Sequence, residues 1–456
     1  MQQLMIRDKN FYRMTLRIAL PIVVQNAITM LINIIGTMML GHYGEIPLSG
    51  AALANEFINV FFILCMGIGG GAGVLTAQYW GNHDIEGLKH TVTLMLWIIL
   101  SVAAVFTTVT FAMPATIMGL YTNDPDIIAQ GVLYFRAGGA CYPMMGINLT
   151  VTIVLRTVRQ VKVPLLAAIA SVCLNAFLSW VLIFGRFGAP ELRIQGAAIA
   201  MVIAQFTEMS VIAGYLLLRD RRIGYRLRDF IRTDARQARL FLRYGAPVIV
   251  SDAMLALGNT MVAIIMGHIG AAFVAANAIV SPVMRLSTVL NQGVSQSSGV
   301  LVGNTLGGGD RDLAQRQSVT YLVLSVLLGS FGAVVVLLVA PLVLSSVAVG
   351  EETRRITFQL MASVAVTTLF YTIQGMLTKG VLRAGGDTRF LMLADVLFMW
   401  VASIPLGYLA GLVWGLSPFW VYLALKTDWI IKSFWCTQRL RSRKWLHVVN
   451  EAIKEG

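Results

Sequence analysis

The sequence has little charge and little cysteine. Asp, Glu, Lys and Arg make up 12% of its 456 residues, about half the share of an ordinary soluble protein, which excludes a water-solvated surface of the usual kind. The four cysteines, Cys65, Cys141, Cys173 and Cys436, have no framework spacing and form no CxxC. A disulfide scaffold and a zinc site are thereby excluded, and the thiols read as small core residues. No HExxH, GxSxG or Walker sequence is present, nor a paired-Asp metal arrangement at membrane depth. No enzyme activity, no cofactor and no metal are therefore expected, and ATP does not drive the chain directly. The segment GIGGGAGV at 67–74 has glycines but no preceding strand, so it reads as close helix packing and not as a dinucleotide loop.

What the sequence has is apolar length. Apolar residues reach 57%, in runs long enough to cross a hydrocarbon core of about 30 Å. Spans are predicted at 15–40, 51–78, 91–113, 131–155, 164–184, 194–218, 244–266, 274–302, 318–340, 357–379, 390–411 and 418–438. Such runs are too long and too uniform for barrel strands. The fold class is an all-α integral membrane protein with twelve transmembrane helices in two pseudo-symmetric six-helix bundles. The first span follows Arg7, Lys9, Arg13 and Arg17 but is longer than a signal-peptide core and lacks a small-residue cleavage site, so it is expected to be retained. Lys and Arg gather in alternate connections, among them Arg156 to Lys162, 219–243 and Arg439 to Lys444. By the positive-inside rule both termini are cytoplasmic. The net charge of +13 thus points to anionic headgroups, with the 219–243 linker lying against them, and not to nucleic acid.

The chain is also written twice. Sliding residues 21–84 onto 247–310 gives identities at 16 of 64 positions, including Pro21 with Pro247, Asn33 with Asn259, Gly41, His42 and Gly44 with Gly267, His268 and Gly270, and Gly81 with Gly307. Shuffled apolar composition would give roughly 5. Further on the register slips by one residue, and VLR at 154–156 meets VLR at 381–383. Residues 1–218 form an amino-terminal six-helix lobe, 219–243 a basic cytoplasmic linker, and 244–456 a carboxyl-terminal six-helix lobe with a basic tail. An even number of spans per repeat sets both lobes the same way up, an arrangement suited to a central cavity and alternating access.

These residues resemble the multidrug and toxic compound extrusion family. The resemblance covers nearly the whole chain and rests on GHYG and GHIG after spans 1 and 7, AANAIVSPV in span 8, LVGNTLGGGD after it with its partner TAQYWGNHD after span 2, and VLRAGGDTRF after span 10. The loop after span 2, WGNHDIEGLKH, does not fit the Gly-x-x-x-Asp-Arg/Lys-x-Gly-Arg/Lys pattern of the other common twelve-helix transporters. The resemblance implies a secondary active antiporter in the plasma membrane. It would export amphipathic, often cationic organic compounds in exchange for protons or sodium. The rival within the same superfamily is a lipid or lipid-linked oligosaccharide flippase. The expected partners are a small organic substrate, a coupling cation and the bilayer, with no nucleic acid, and a monomer is expected.

Polar residues at helical spacing mark inward faces in a membrane helix, because a polar group facing lipid is costly. Span 1 carries Asn26, Thr29, Asn33 and Thr37; span 7 repeats the pattern with Asp252 and Asn259; span 8 carries Asn277, Ser281, Arg285, Thr288, Gln292 and Gln296; span 10 carries Thr367, Tyr371, Gln374 and Thr378. Ionisable groups at depth are Glu56, Arg136, Glu208, Asp252, Arg285, Asp395, Lys426 and Asp428. A desolvated carboxylate exchanges a proton readily unless a cation pins it. Asp252 lies on the span that resembles the family's cation-binding helix, so it is the first candidate for ion coupling, with Glu56, Asp395, Asn259 and Asn33 beside it; Arg285 is a possible counter-ion to Asp252. The candidate substrate cavity takes Arg285, Gln292, Asn277, Tyr142, Tyr371 and Gln374, with Met144, Met145 and Trp400 as adaptable apolar contacts. The chain departs from the family in span 1, where Gly36 of NIIGTMMLG stands in the place of an Asp. His42 and His268 follow helix ends and read as caps of the last carbonyls.

Overall fold

The computed structural model describes residues 5–231, 234–346 and 350–448; the side chains of 31–35, Thr37 and Ser346 lie outside the described set. A chain in hydrocarbon must close its backbone hydrogen bonds within each segment, and the apolar runs accordingly form helices. They are α1 Lys9–Gly41, α2 Glu45–Gly81, α3 Ile85–Ala112, α4 from Pro125–Gly138 and Cys141–Thr157, α5 Lys162–Phe184 and α6 Arg193–Gly214. After the connection come α7 Ala235–Ile269, α8 Ala271–Gly307, α9 Arg311–Ser346, α10 Glu351–Ala384, α11 Thr388–Val413, and α12 from Pro418–Leu425 and Thr427–Arg441. Among the described residues nine helices are long and apolar enough to cross a membrane, and the α4 pair, bent by 59°, makes a tenth. With α1 and the two-piece α12 the described residues form twelve long helical segments, consistent with the twelve expected spans.

The breaks have local causes. The α4 bend falls at Gly138 and Gly139, four residues before Pro143, whose missing N–H frees a carbonyl. The sequence pattern gives span 12 as one run, whereas the structure breaks it at Lys426, which leaves helical geometry with φ −117° and ψ 17°. In α11 the backbone widens into a π turn over Phe398–Ser403, just before Pro405; a proline removes one helical donor and lets the preceding turn loosen. A second π turn, Leu377–Val381, lies in α10 immediately before Arg383.

By packing, the chain forms two compact units that do not follow its halves. A carboxyl-terminal unit contains Met1–Val23, Gly73–Asp84 and Leu242–Gly456; an amino-terminal unit contains Val24–Ala72 and Ile85–Phe241. The start of α1 and the end of α2 thus pack with α7 to α12, and most of the 219–243 linker packs with the amino-terminal unit. The core of the carboxyl-terminal unit joins Val262 and Ile265 of α7, Phe273 and Val280 of α8, Val336 of α9, Leu360 and Val364 of α10, Met399 of α11 and Tyr422 of α12. In the amino-terminal unit Phe57 and Phe61 of α2, Phe106 of α3 and Tyr142 of α4 stack in one aromatic cluster.

The repeated Gly-His-x-Gly motif ends a helix in both places: the first copy is a turn after Gly41, whereas the second stays helical to Ile269 and breaks at Gly270. Gly44 and Gly270 have φ of +104° and +147°, backbone that side-chain-bearing residues rarely adopt. His268 brings a ring nitrogen to 2.9 Å from the Ile264 carbonyl, capping the end of α7 as expected for that position.

Candidate functional site

The buried ionisable groups of the carboxyl-terminal unit gather into one network. It starts on α7, where Ser251 and Asp252 are neighbours in sequence and therefore point about 100° apart around the helix, toward different partners. Asp252 faces α10, and its carboxylate lies 3.5 Å from the Arg383 guanidinium. Ser251 faces α11 and donates to the Asp395 carboxylate at 2.6 Å. The other Asp395 oxygen accepts from Lys432 of α12 at 3.1 Å, and the same ammonium lies 2.9 Å from Asp428. Asp428 closes the network on α11: its second oxygen accepts from the Ser403 hydroxyl at 2.9 Å.

The helix breaks make this arrangement possible. The interruption at Lys426 leaves the Asp428 N–H without a helical acceptor, and it donates to the Ser403 hydroxyl oxygen at 2.8 Å. Ser403 ends the π turn of α11, so the widened turn and the broken helix satisfy each other. Lys426 itself lies with its ammonium 4.7 Å from the centre of the Trp429 ring, a cation–π contact.

Burial gives the network its chemistry. The side chains of Asp395, Asp428 and Lys432 are 4%, 2% and 2% exposed, and those of Asp252 and Arg383 are 18% and 13% exposed. Three carboxylates therefore share Arg383 and Lys432, with the Lys426 ammonium within electrostatic reach of Asp428 as a third cation. Charges held this far from water are costly unless each keeps its partner. The Arg383 Nε is moreover buried without a hydrogen-bond partner, so this guanidinium is held by charge more than by a saturated bonding pattern.

The repeat-equivalent position in the amino-terminal unit is built differently. Arg156, the counterpart of Arg383, donates to the Gln25 amide oxygen at 2.6 Å, and Gln25 is the counterpart of Ser251. Its acid comes from another helix: Glu208 of α6, half-buried, lies within electrostatic reach of Arg156 and bonds to Ser171 of α5.

Against the sequence expectations, the structure brings Asp252 and Asp395 into one network and leaves others apart. Arg285 is not the counter-ion of Asp252; it is exposed on α8, and that role falls to Arg383. Arg156, placed in a cytoplasmic connection by the charge pattern, and its counterpart Arg383 are half-buried within their helices, because α4 and α10 run past them to Thr157 and Ala384. Glu56 and Arg136 are exposed, as is Asn259, and Asn33 lies outside the described side chains. Among the substrate-cavity candidates, Tyr142 is fully buried in the aromatic cluster and accepts from Thr110 at 3.1 Å. Gln374 is buried and accepts from Thr378 at 3.3 Å, Tyr371 packs edge-on against Trp429 at 4.9 Å, and Asn277 and Gln292 are half-buried. Lys432 escaped the sequence reading although it stands four residues after Asp428, the spacing at which opposite charges meet on a helix. Ser251 and Ser403 had no sequence signal beyond being polar in apolar runs.

Comparison with known proteins agrees with this architecture. The profile of the MatE family matches residues 21–181 and again 247–409, the two copies seen in the repeat. Over 423 residues, covering 90% of this chain and 88% of the relative, the sequence is 26% identical to a probable multidrug resistance protein NorM of Bradyrhizobium diazoefficiens. Over 395 residues, 85% of this chain and 84% of the relative, it is 23% identical to a probable multidrug resistance protein YoeA of Bacillus subtilis. The fold is that of the Vibrio cholerae MATE transporter VcmN, with a TM-score of 0.86 at 16% identity over 96% of this chain and 98% of that one. The chain belongs to the MatE family, the multidrug and toxic compound extrusion transporters.

Proposed function

We propose that this chain is a proton-driven multidrug exporter of the plasma membrane, working as a monomer with both termini in the cytoplasm. It would expel amphipathic, often cationic organic compounds by alternating access. The observation that carries the reading is the gathering of three carboxylates from three helices, Asp252, Asp395 and Asp428, around Arg383 and Lys432, with Asp252 in the longest and most exposed pair. A carboxylate in such a pair can trade its cation for a proton when its surroundings change.

Protons fit this cluster better than sodium does. The Lys432 ammonium already occupies the position between Asp395 and Asp428, at 3.1 and 2.9 Å, where a bound sodium ion would meet a fixed positive charge. A proton needs no such space. Asp252, paired at the longer 3.5 Å and more exposed, is the acid most easily reached, and Asp395 and Asp428 hold the remaining charge. The multidrug resistance proteins with which this chain shares a quarter of its residues support organic cations as the cargo class.

Everted vesicles test the reading. With an acid-loaded interior and no sodium, adding a fluorescent cationic dye should alkalinise the interior, and Asp395→Asn should slow this by about tenfold, the loss of one productive charge interaction of roughly 1.4 kcal/mol. Dye uptake that demands sodium and moves no protons rules out the proposed coupling.

A further inference from the structure

We propose that residues 442–447, which follow the last helix, form a latch that fastens the end of α2 to the turn between α10 and α11. The latch would thereby hold closed the crossing of α2 and α8.

The crossing is itself a product of the repeat. A methyl group on Gly81 of α2 would collide with the backbone carbonyl of Asn304 on α8, and one on Gly307 of α8 would collide with the backbone carbonyl of Gln78 on α2. Gly81 and Gly307 are repeat equivalents, as are Gln78 and Asn304, by the same offset that aligns the two halves. The two helices therefore meet through one patch used twice, as in a self-complementary interface. Only glycine allows this approach, and it joins a helix of the first half of the chain to one of the second.

The tail is seated on this crossing. Trp445 lies beyond the end of α12 yet is 0% exposed. Its indole N–H donates to the Gln315 side chain of α9 at 3.0 Å, and Gln315 in turn donates to the Leu440 carbonyl at 3.0 Å. The Trp445 ring covers Gly385, where any side chain would strike it. Two residues on, the His447 N–H donates to the Gly385 carbonyl at 3.0 Å, and the His447 carbonyl accepts from Gln78 at 3.1 Å. The same Gln78 amide reaches the Ala384 carbonyl at 2.9 Å. A single side chain of α2 is thus held both by the tail and by the turn that the tail covers.

This is the build of a fastening and not of a core. Trp445 anchors the strap by burial, whereas the link to α2 consists of two neutral hydrogen bonds from one amide, which break and reform readily. The inference rests on the alternating-access reading for its consequence: if the two sequence halves rock, the end of α2 has to leave the unit with which it packs here, and Gln78 has to leave Ala384 and His447. The strap would then set how often that happens.

Hydrogen exchange on the full-length protein in lipid nanodiscs tests the latch. Trp445→Ala and Gln78→Leu should each speed exchange of the amides at 77–82 and 303–308 by about tenfold, as expected when a local opening is freed. The double variant should add nothing further, since both changes cut one link. Exchange in α3, α5 and α6 should stay as in the wild type. Unchanged protection at the crossing in both single variants overturns the proposal. So does a rise spread across α3, α5 and α6, which would make Trp445 a general stabiliser. If Trp445→Ala does not fold, Gln78→Leu alone decides, because it cuts the link without touching the tail. The readout needs neither drug nor gradient, so a failed efflux experiment and a failed latch are separate results.

Discussion

Arg383 and Arg156 descend from one repeated position, and what faces each of them differs in charge. Arg383 meets the carboxylate of Asp252; Arg156 meets the amide of Gln25. The residue equivalent to Asp252 is Asn26, so in the first half the arginine has lost, or never had, an acid on the adjoining helix. The contrast widens farther into each unit. Around Arg383 the network continues to two more acids and one lysine, whereas around Arg156 there is one acid, Glu208. One unit gathers three acids on three helices, and the other has a single acid balanced by Arg156. Duplication supplied the same scaffold twice, and the carboxyl-terminal copy is the one that the proposed proton coupling uses.

The contrast is broken most severely at Lys432. Replacing it with methionine leaves Asp395 and Asp428 buried against each other without their shared cation. Removing one partner from a buried ion pair costs about 3 to 5 kcal/mol, so the Lys432→Met protein should lose most of its thermal stability in detergent. Adding Asp428→Asn should restore part of the loss, because one fewer buried charge then needs a partner. Glu208→Gln, the corresponding change in the balanced unit, leaves Arg156 its bond to Gln25 and should cost less. Equal melting temperatures for Lys432→Met and the wild type would show that the triad carries no net charge burden.

Exchanging the residues that face the two arginines sharpens the comparison. Asp252→Asn makes the carboxyl-terminal site resemble the amino-terminal one, and dye efflux from cells should fall about tenfold or more with expression unchanged, for the same loss of roughly 1.4 kcal/mol. Gln25→Glu makes the reverse change. It gives Arg156 a second acid besides Glu208 and so one excess negative charge, but leaves the carboxyl-terminal network untouched, and efflux should stay within about twofold. Wild-type efflux in Asp252→Asn, or strong loss in Gln25→Glu, would place the coupling in the other unit.

How far the sequence revealed these features depended on how local their causes are. The twelve helical segments were legible because apolar length is written continuously along the chain, and the duplication was legible because Gly, Pro and polar identities stand out against apolar composition. The break in α12 was not, since it hangs on the single residue Lys426 within an otherwise apolar run. Partner choice was not legible either. Arg285 lies on the polar stripe of α8 and Arg383 at the end of α10, and only the packing of α7 against α10 gives Asp252 to the second. The composition of the units was hidden for a related reason: repeats record descent, while the end of α2 packs with α8 because Gly81 and Gly307 permit it.

A milder asymmetry of the same kind lies at the turns that follow the two arginines, and it is read by pH. Asp387, after Arg383, corresponds to Gln160, after Arg156. Burial would push the Asp387 carboxyl up, but His447, 3.8 Å away, and Arg439, donating at 2.6 and 3.1 Å, more than offset this and hold it below the ordinary carboxylate range. Gln160 donates to Asp220 at 2.9 Å and does not titrate. A carboxyl whose folded value is depressed contributes its stability in full above its unfolded value of about 4, and loses it as the pH falls through the lower folded value. Asp387→Asn should therefore melt a few degrees below the wild type at pH 6, and the gap should close on acidification below about pH 4. Because general acid effects act on both proteins alike, the difference between the melting curves isolates Asp387. A gap for Asp387→Asn that persists unchanged to pH 3 would mean that Arg439 and His447 hold the turn by shape and not by charge.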